Sequence, residues 1–247
     1  MLRLLLLSAL FLMPQIQGPH RKVFSSAAPS YTVSDIGNCS ISVDTPSPIT
    51  CTISSAVVPS GTTDLVAVER VCRDASGCQS ANYSTVTFAV TDTSSPANTW
   101  STPSGSCANK DASSRTWATC IAVAHSPTVG TYNFTLTVSA SGVSNFDFFS
   151  LHVLATTGTN GLDTASPNIA IGSSASASVT TGTLSQGSEF VVGVGTSANA
   201  LTAGQTHISG STFNSEWTTG PSSGTQALSW TLTSAPWSAS AIALAHP

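Results

Sequence analysis

The strongest constraint on the fold is the alternation of apolar and polar residues in short runs along most of the chain. In residues 132–139 every second side chain is aromatic or aliphatic, and Asn, Thr or Ser stands between them. A period of two places the two sets on opposite faces of a β-strand. Gly, Pro, Ser and Asn separate this run from similar ones, and helical periodicity is almost absent after residue 18. The sequence therefore predicts an all-β chain.

Twelve segments have the alternating or continuously apolar character of strands. They are residues 38–43, 50–54, 64–71, 83–91, 116–124, 132–139, 146–155, 174–181, 188–196, 212–219, 227–232 and 239–245. Open twisted sheets rarely exceed about ten strands. We therefore expect about twelve strands in two packed antiparallel sheets, which form a sandwich of jelly-roll type.

The domain organisation is less clearly marked than the strands. Stretches rich in Ser, Thr, Gly and Ala at 156–161 and 172–183 are compatible with a linker. However, the strands on either side of them lack enough partners to close separately. We expect a flexible segment over residues 19–35 and a single β-sandwich domain over residues 36–247.

Charged side chains are scarce, at 7% of the 247 residues against about 25% in an ordinary soluble domain. The 43 serine and 34 threonine residues supply hydrogen-bonding groups in their place. With a formal net charge of -4, the chain has no basic field that would collect phosphates. The sequence therefore argues against nucleic acid and anionic membrane surfaces as partners.

The first 18 residues have the pattern of a secretory signal peptide, with Arg3, an apolar run over 4–13 and a polar tail. We expect cleavage after Gly18, or alternatively near the small residues at 25–28. The apolar run is too short to cross a bilayer, and no later segment approaches about 20 apolar residues. The expected mature chain is secreted, extracellular or at the cell surface, without a membrane span.

An even number of cysteines behind an export signal predicts disulfide bonds. Each consecutive pair encloses a short segment with turn formers, so the sequential pairing is favoured over the other connectivities. A zinc site is disfavoured because the chain has no C-x2-C pair and no His at ligand spacing. The expected pairs are Cys39 with Cys51, Cys72 with Cys78, and Cys107 with Cys120.

We find no catalytic constellation in the sequence, and we expect no enzymatic activity, cofactor or metal. His125, His152 and His207 are candidate bases, but there is no G-x-S-x-G motif to identify a nucleophile. The expected role of His152 is that of a satisfied or surface strand residue. Asp64 and Glu69 are five positions apart in one strand and should point to opposite faces, which argues against a glycosidase pair.

Two groups of acidic residues have alternative interpretations. Asp92 opens a hairpin and is expected to cap its turn rather than bind calcium, because no D-x-D-x-D-G run is present. Glu69, Arg70, Arg73 and Asp74 concentrate four of the few charges. We expect mutual ion pairing among these four, with a binding epitope as the alternative.

The five tryptophans include the best candidates for a ligand site. Trp230 alternates with leucines and should be core, and Trp100 and Trp117 flank the loop of Cys107, where they could pack on its sulfur. Trp217 and Trp237 are the candidates for exposed rings, although we expect buried or half-buried packing for each ring. Exposed aromatic rings hold sugars by apolar stacking, aided by nearby polar groups.

Several segments, taken in order, resemble an uncharacterised group of secreted bacterial β-sandwich modules. The segments are DLVAV at 64–68, VTDTSSPANTW at 90–100, the strand at 132–138, EFVVGV at 189–194 and the closing residues 237–245. Those modules carry a V-x-D-S-x-G-N-T-W/Y hairpin and a late strand similar to E-L-L-V-G. Here Ser-Pro-Ala at 95–97 replaces the usual Gly before Asn. The resemblance implies an extracellular jelly-roll module and supplies no catalytic residues.

The sequence thus predicts a secreted, non-catalytic β-sandwich module with a structural or adhesive role at or outside the cell surface. The alternative is a carbohydrate-binding, lectin-like module that uses exposed Trp side chains. Its partner would be an extracellular glycan or another cell-surface component. An exported hydrolase is a third and weaker hypothesis.

Overall fold

The computed structural model describes residues 30–41, 45–72, 86–112, 115–140, 145–146, 148–197, 199–207 and 214–247. Within these ranges the regular structure is entirely β and every strand pair is antiparallel, so the predicted fold class is confirmed. The strands are β1 (Thr32–Ile41), β2 (Thr45–Pro46), β3 (Ile49–Val58), β4 (Asp64–Cys72), β5 (Val86–Asp92), β6 (Cys107–Ala112), β7 (Arg115–His125), β8 (Gly130–Ala140), β9 (Asn145–Phe146), β10 (Phe148–Thr157), β11 (Asn168–Thr180), β12 (Phe190–Ser197), β13 (Thr202–Ala203), β14 (Thr206–His207), β15 (Asn214–Thr219) and β16 (Ala227–Leu244).

All twelve predicted segments overlap an observed strand, but several boundaries differ from the predicted ones. The segments at 227–232 and 239–245 belong to one continuous strand, β16. In addition, β1 begins at Thr32, inside the segment 19–35 that the sequence predicted to be flexible. Strand β6 was not predicted as a separate strand, because its sequence CANKDA lacks apolar alternation.

The strands form three main sheets and one short pair. The central sheet has the order β1-β10-β4-β7-β6, and the outer sheet has the order β3-β8-β5. The third sheet, which bends back on itself and is called the folded sheet below, has the order β11-β16-β12-β15-β14, with β13 also paired to β16. Strands β2 and β9 pair separately. This stacking is consistent with a sandwich, but it does not confirm jelly-roll connectivity.

The central sheet has apolar side chains on both faces. In β4, Leu65 and Ala67 face the outer sheet, and Val66 and Val68 face the folded sheet. The first core lies between the outer and central sheets and includes Ile49, Ile53, Leu65, Phe134, Leu136, Phe149, Leu151 and Val153. The second core lies between the central and folded sheets and consists of Val66, Val68, Ile121, Val123, Leu154, Phe190, Val192, Val194, Ile242 and Leu244. The central sheet therefore holds the other two sheets together.

The folded sheet bends back on itself around a third core. The ladder between β11 and β16 shifts register between Ser174 and Ser176, and the side-chain amide of Asn168 donates to the Thr180 carbonyl at 2.7 Å, although these residues begin and end the same strand. The enclosed third core contains Ala177, Val179, Leu184, Val191, Leu201, Leu228, Trp230, Trp237, Ala239, Ala241 and Ala243. The alanines of β16 in this core have small side chains, which let the neighbouring part of the folded sheet pack closely against them.

Two predicted disulfides are confirmed. Cys39 bonds to Cys51, and Cys107 bonds to Cys120, its direct partner across the β6–β7 hairpin. The first bond does not close a hairpin, because β1 belongs to the central sheet and β3 to the outer sheet. It therefore links two sheets across the first core. The predicted bond of Cys72 with Cys78 lies partly outside the described residues.

Among the described residues, no helix is long and apolar enough to cross a membrane.

Candidate functional site

A buried carboxylate and a half-exposed histidine meet at one end of the central sheet. Asp64, the first residue of β4, lies opposite His125, the last residue of β7. Asp64 Oδ1 is 2.7 Å from His125 Nδ1, and the side chains are 0% and 50% exposed, respectively. Strand pairing thus brings together two residues that are 61 positions apart in the sequence.

Hydrogen bonds hold the Asp64 carboxylate in place. Its Oδ2 accepts from Thr159 Oγ1 at 2.5 Å and from the Gly161 backbone N–H at 3.1 Å. The Thr159 hydroxyl also lies 2.7 Å from Thr156 Oγ1 and 2.8 Å from Thr63 Oγ1. A buried carboxylate is costly unless such contacts replace its water. The network therefore fixes both the carboxylate and the loop after β10.

The same loop also positions the His125 ring. Gly161 has φ of 78°, and a Cβ atom there would lie 3.4 Å from His125 Nδ1. The backbone of Gly161 thus packs closely on the imidazole. With a carboxylate at Nδ1, the neutral ring carries its proton on that nitrogen, which leaves Nε2 as a hydrogen-bond acceptor.

The ring borders a pocket of about 220 Å³, which is lined by both polar and apolar side chains. Ser101 is joined to Val123 by two backbone hydrogen bonds of 2.8 Å, and Leu162 pairs with Leu244 at the end of the folded sheet. The pocket therefore lies where a loop, the central sheet and the folded sheet meet. Its lining residues are Thr99, Ser101, Pro103, Val123, His125 and Leu162.

The other candidate histidines lie elsewhere. His152 is fully buried, and its Nε2 is 2.8 Å from Asp35 Oδ1. It lies on the strand face opposite Leu151 and Val153 and pairs with Asp35 through Nε2, so it is a buried strand histidine and the alternative of a surface position was wrong. The side chain of His207 lies outside the part of the chain that the structure describes.

The two tryptophans predicted to bind ligand do not form a common surface. Trp237 is only 8% exposed, and its Nε1 donates to Ser174 Oγ at 3.0 Å, so it has the buried packing that was the alternative to an exposed ring. Trp217 is half-buried, with its ring centroid 5.7 Å from that of Phe190. Trp217 packs against the second core and Trp237 belongs to the third, which places them on opposite faces of the folded sheet.

Asp92 has the turn-capping role that the sequence predicted. Its carboxylate accepts hydrogen bonds from the Ser94 backbone N–H at 3.0 Å, from Asn98 Nδ2 at 3.1 Å and from Trp100 Nε1 at 2.6 Å. Burial alone would raise the pKa of Asp92, but these bonds to its charged form lower the pKa below the usual value. Trp100 thus bonds to this turn and meets the edge of Phe134.

The predicted ion-pair cluster near residue 70 is not formed by its described members. Glu69 lies on the face of β4 that carries Leu65 and Ala67, whereas Arg70 lies on the other face and donates from Nε to Ser150 Oγ at 3.1 Å. Burial raises the pKa of Glu69 to about 8. Arg73 and Asp74 lie outside the described residues.

Another carboxyl with a raised pKa, that of Glu189, lies directly before β12 of the folded sheet. Burial raises the pKa of Glu189 to about 7, and the neighbouring carboxyl of Asp163 adds to this effect. Glu189 Oε1 accepts hydrogen bonds from the Gln186 backbone N–H at 2.7 Å and from Ser185 Oγ at 3.1 Å. Among the described residues, no group of three or more His, Cys, Asp or Glu side chains is arranged to hold a metal ion.

The chain matches no family model, no curated protein and no solved structure. Function must therefore be argued from the geometry of the molecule itself. Sequence reasoning identified His125 as a possible base but did not connect it with Asp64. No local motif could have done so, because the contact depends on the pairing of β4 with β7.

Proposed function

We propose that the chain is a secreted, non-catalytic β-sandwich module with a structural or adhesive role at or outside the cell surface. The disulfide between Cys39 and Cys51 carries this proposal, because it joins two sheets across a hydrophobic core. Disulfides of this structural kind persist in oxidising compartments outside the cytoplasm. The signal-like first 18 residues support the same location.

The use of the acidic side chains supports a structural role. Asp92 caps a turn, Asp163 bonds to backbone N–H groups, and Glu216 accepts from the backbone of Gln205 and Ser229. These groups are committed to the fold and are not gathered around a reaction centre. The resemblance to secreted bacterial β-sandwich modules is in keeping with this proposal.

An export experiment tests the proposed location. The full chain is produced in a bacterial host beside a Leu5→Arg variant, which interrupts the apolar run. We expect the wild type outside the cytoplasm with both described disulfides formed, and the variant inside the cell with free thiols. Wild-type protein that remains in the cytoplasm with free thiols would refute secretion.

A second experiment separates adhesion from catalysis. Beads coated with the purified chain are washed over immobilised cell-wall polysaccharide, and soluble ester and polysaccharide substrates are incubated with the same protein. We expect more beads to be retained than with an albumin coating, and no turnover above the rate without protein. Turnover that is lost in a His125→Ala variant would instead favour the exported hydrolase.

A further inference from the structure

We infer that the pocket beside His125 binds a single uncharged sugar ring, such as a terminal residue of an extracellular glycan. This inference names a ligand class for the adhesive role and rests on the proposed function in that respect. It differs from the sequence-based hypothesis of sugar binding, because neither Trp217 nor Trp237 lines this pocket.

Three polar groups in the pocket are not used by the protein itself. His125 bonds to Asp64 through Nδ1, and no hydrogen bond joins its Nε2 to any residue in the described ranges. The hydroxyls of Thr99 and Ser101 also have no hydrogen bond to the described part of the chain, whereas nearby Ser106 and Thr128 donate to backbone carbonyls. Ligand sites combine an apolar lining with a few such convergent polar groups.

The charge of the pocket excludes several kinds of ligand. No Lys or Arg among the described residues lines it, so a phosphate or carboxylate would find no guanidinium or ammonium group there. The carboxylate of Asp64 lies behind the imidazole and is already bonded to Thr159 and Gly161. Hydroxyl groups of a neutral ligand match the polar groups of the pocket, because they can donate to Nε2 of His125 and can both donate to and accept from the hydroxyls of Thr99 and Ser101.

The apolar wall and the size of the pocket fit a ring. Pro103, Val123 and Leu162 offer a surface for the C–H face of a sugar. At about 220 Å³ the pocket is smaller than the 300–1,000 Å³ that is typical of sites for drug-sized ligands. A single ring is therefore a better match than a longer chain held along its length.

The ring of His125 is held in position before any ligand arrives. Asp64 fixes one edge of the imidazole, and the close backbone of Gly161 limits its rotation. Because little side-chain freedom remains to be lost, binding would cost less conformational entropy than at a mobile histidine.

Saturation-transfer NMR on the purified full-length chain tests the inference. The probes are glucose, galactose, mannose and N-acetylglucosamine, each added separately. The Ser101→Leu variant fills the pocket from an exposed position, and His125→Ala removes the imidazole. His246→Ala is the matched control, because it removes a histidine that does not line the pocket.

We expect saturation transfer to at least one sugar, weakened at least tenfold by Ser101→Leu and His125→Ala but unchanged by His246→Ala. If His125→Ala does not fold, Ser101→Leu decides the outcome alone. The absence of transfer to all four sugars would refute the inference, as would transfer that persists in Ser101→Leu. Either negative result leaves the proposed structural role and export untouched, because disulfide formation and location test those separately.

Discussion

At the level of single residues, buried acids accept backbone N–H groups from other segments of the chain. Glu216 accepts the Gln205 and Ser229 backbone N–H groups, each at 2.7 Å. Asp163 accepts those of Ala165 and Ser185, at 3.0 and 2.8 Å. Charge-assisted bonds of this kind are stronger than neutral ones. A chain with few charges therefore uses several of them as internal connectors.

The two raised pKa values predict how stability depends on pH. The folded-state values, about 8 for Glu69 and about 7 for Glu189, lie above the ordinary value of 4.5, so the folded protein binds protons that the unfolded chain releases. Stability from these groups is complete below about pH 4.5 and is lost as the pH rises through 7 and 8. We expect the free energy of unfolding to fall by a few kcal/mol between pH 5 and about pH 9.

Urea denaturation at several pH values, followed by fluorescence, measures this dependence. A Glu69→Gln variant keeps the shape of the side chain without its titration, so its unfolding free energy should fall less than that of the wild type between about pH 5 and pH 8. An unfolding free energy that rises from pH 5 to 9 would contradict the assignment of raised pKa values. Equal slopes for the variant and the wild type would remove Glu69 as a cause.

Gly193 is predicted to be intolerant of a side chain. A Cβ atom at this position in β12 would lie 2.5 Å from Leu228 Cδ1 and 3.1 Å from the Ser240 carbonyl oxygen. Overpacking of this kind costs about 1–3 kcal/mol. We expect Gly193→Ala to lower the unfolding free energy by that amount in urea denaturation.

A double-mutant cycle identifies the cause of this loss. Leu228→Ala removes the contacting methyl group, so Gly193→Ala should cost less in that background than in the wild type. A cost that is the same in both backgrounds would show that Leu228 is not the obstacle.

At the level of elements, the alternation of apolar and polar residues did not predict the bend within β16. Thr233, Ser234 and Pro236 suggest a break between two strands, yet β16 continues through them and bends. The sheet can fold back there because Ala239, Ala241 and glycines on its inner face leave room for the rings of Trp230 and Trp237. Sequence alternation predicts where strands run, but not which strand each one joins or where it bends.

The two disulfides provide a prediction about links between elements. They enclose segments of similar length, with sequence separations of 12 and 13 residues. The chain-entropy account therefore gives each about 3 kcal/mol. We expect Cys39→Ala/Cys51→Ala and Cys107→Ala/Cys120→Ala to lower the unfolding free energy by similar amounts in urea denaturation.

The comparison of these two variants also tests the entropic account. A much larger loss for the bond that joins two sheets would mean that native packing, and not loop closure, determines its contribution. A loss in neither variant would contradict a stabilising role for the bonds.

At the level of the whole molecule, the central sheet makes the first and second cores depend on one another. Val66 and Val68 pack against Phe190 and Ile242 of the folded sheet, and neighbouring Leu65 and Ala67 belong to the first core. Unfolding of either the outer sheet or the folded sheet would expose one apolar face of the central sheet. This arrangement favours a single cooperative transition.

Hydrogen exchange measures this coupling. We expect the amides of Val68 in β4 and Val192 in β12 to exchange through openings whose free energies agree within about 1 kcal/mol. The amide of Ser178, in the edge strand β11, should exchange more easily through local opening. A much lower free energy for Val192 than for Val68 would show that the folded sheet opens independently.

The sequence predicted the strands and two disulfides, but it did not predict the pocket. Strands and hairpin-sized cysteine pairs leave a local pattern in the chain. The pocket combines residues 99–103, 123–125 and 162, which meet only after the central and folded sheets have packed. The exposure of Trp217 and Trp237 likewise depends on sheet curvature that alternation does not encode.

The two-sided burial of β4 affects how the strand finds its alignment with its neighbours. Sliding a strand by one residue exchanges its faces, and in most half-buried strands this exposes the apolar set to water. In β4 the run Leu65, Val66, Ala67, Val68 would bury aliphatic groups after such a slip as well. The slip would, however, carry Asp64 away from His125, Thr159 and Gly161. Hydrophobic burial alone would thus accept two alignments of β4, and the hydrogen bonds of Asp64 at the start of the strand favour one of them.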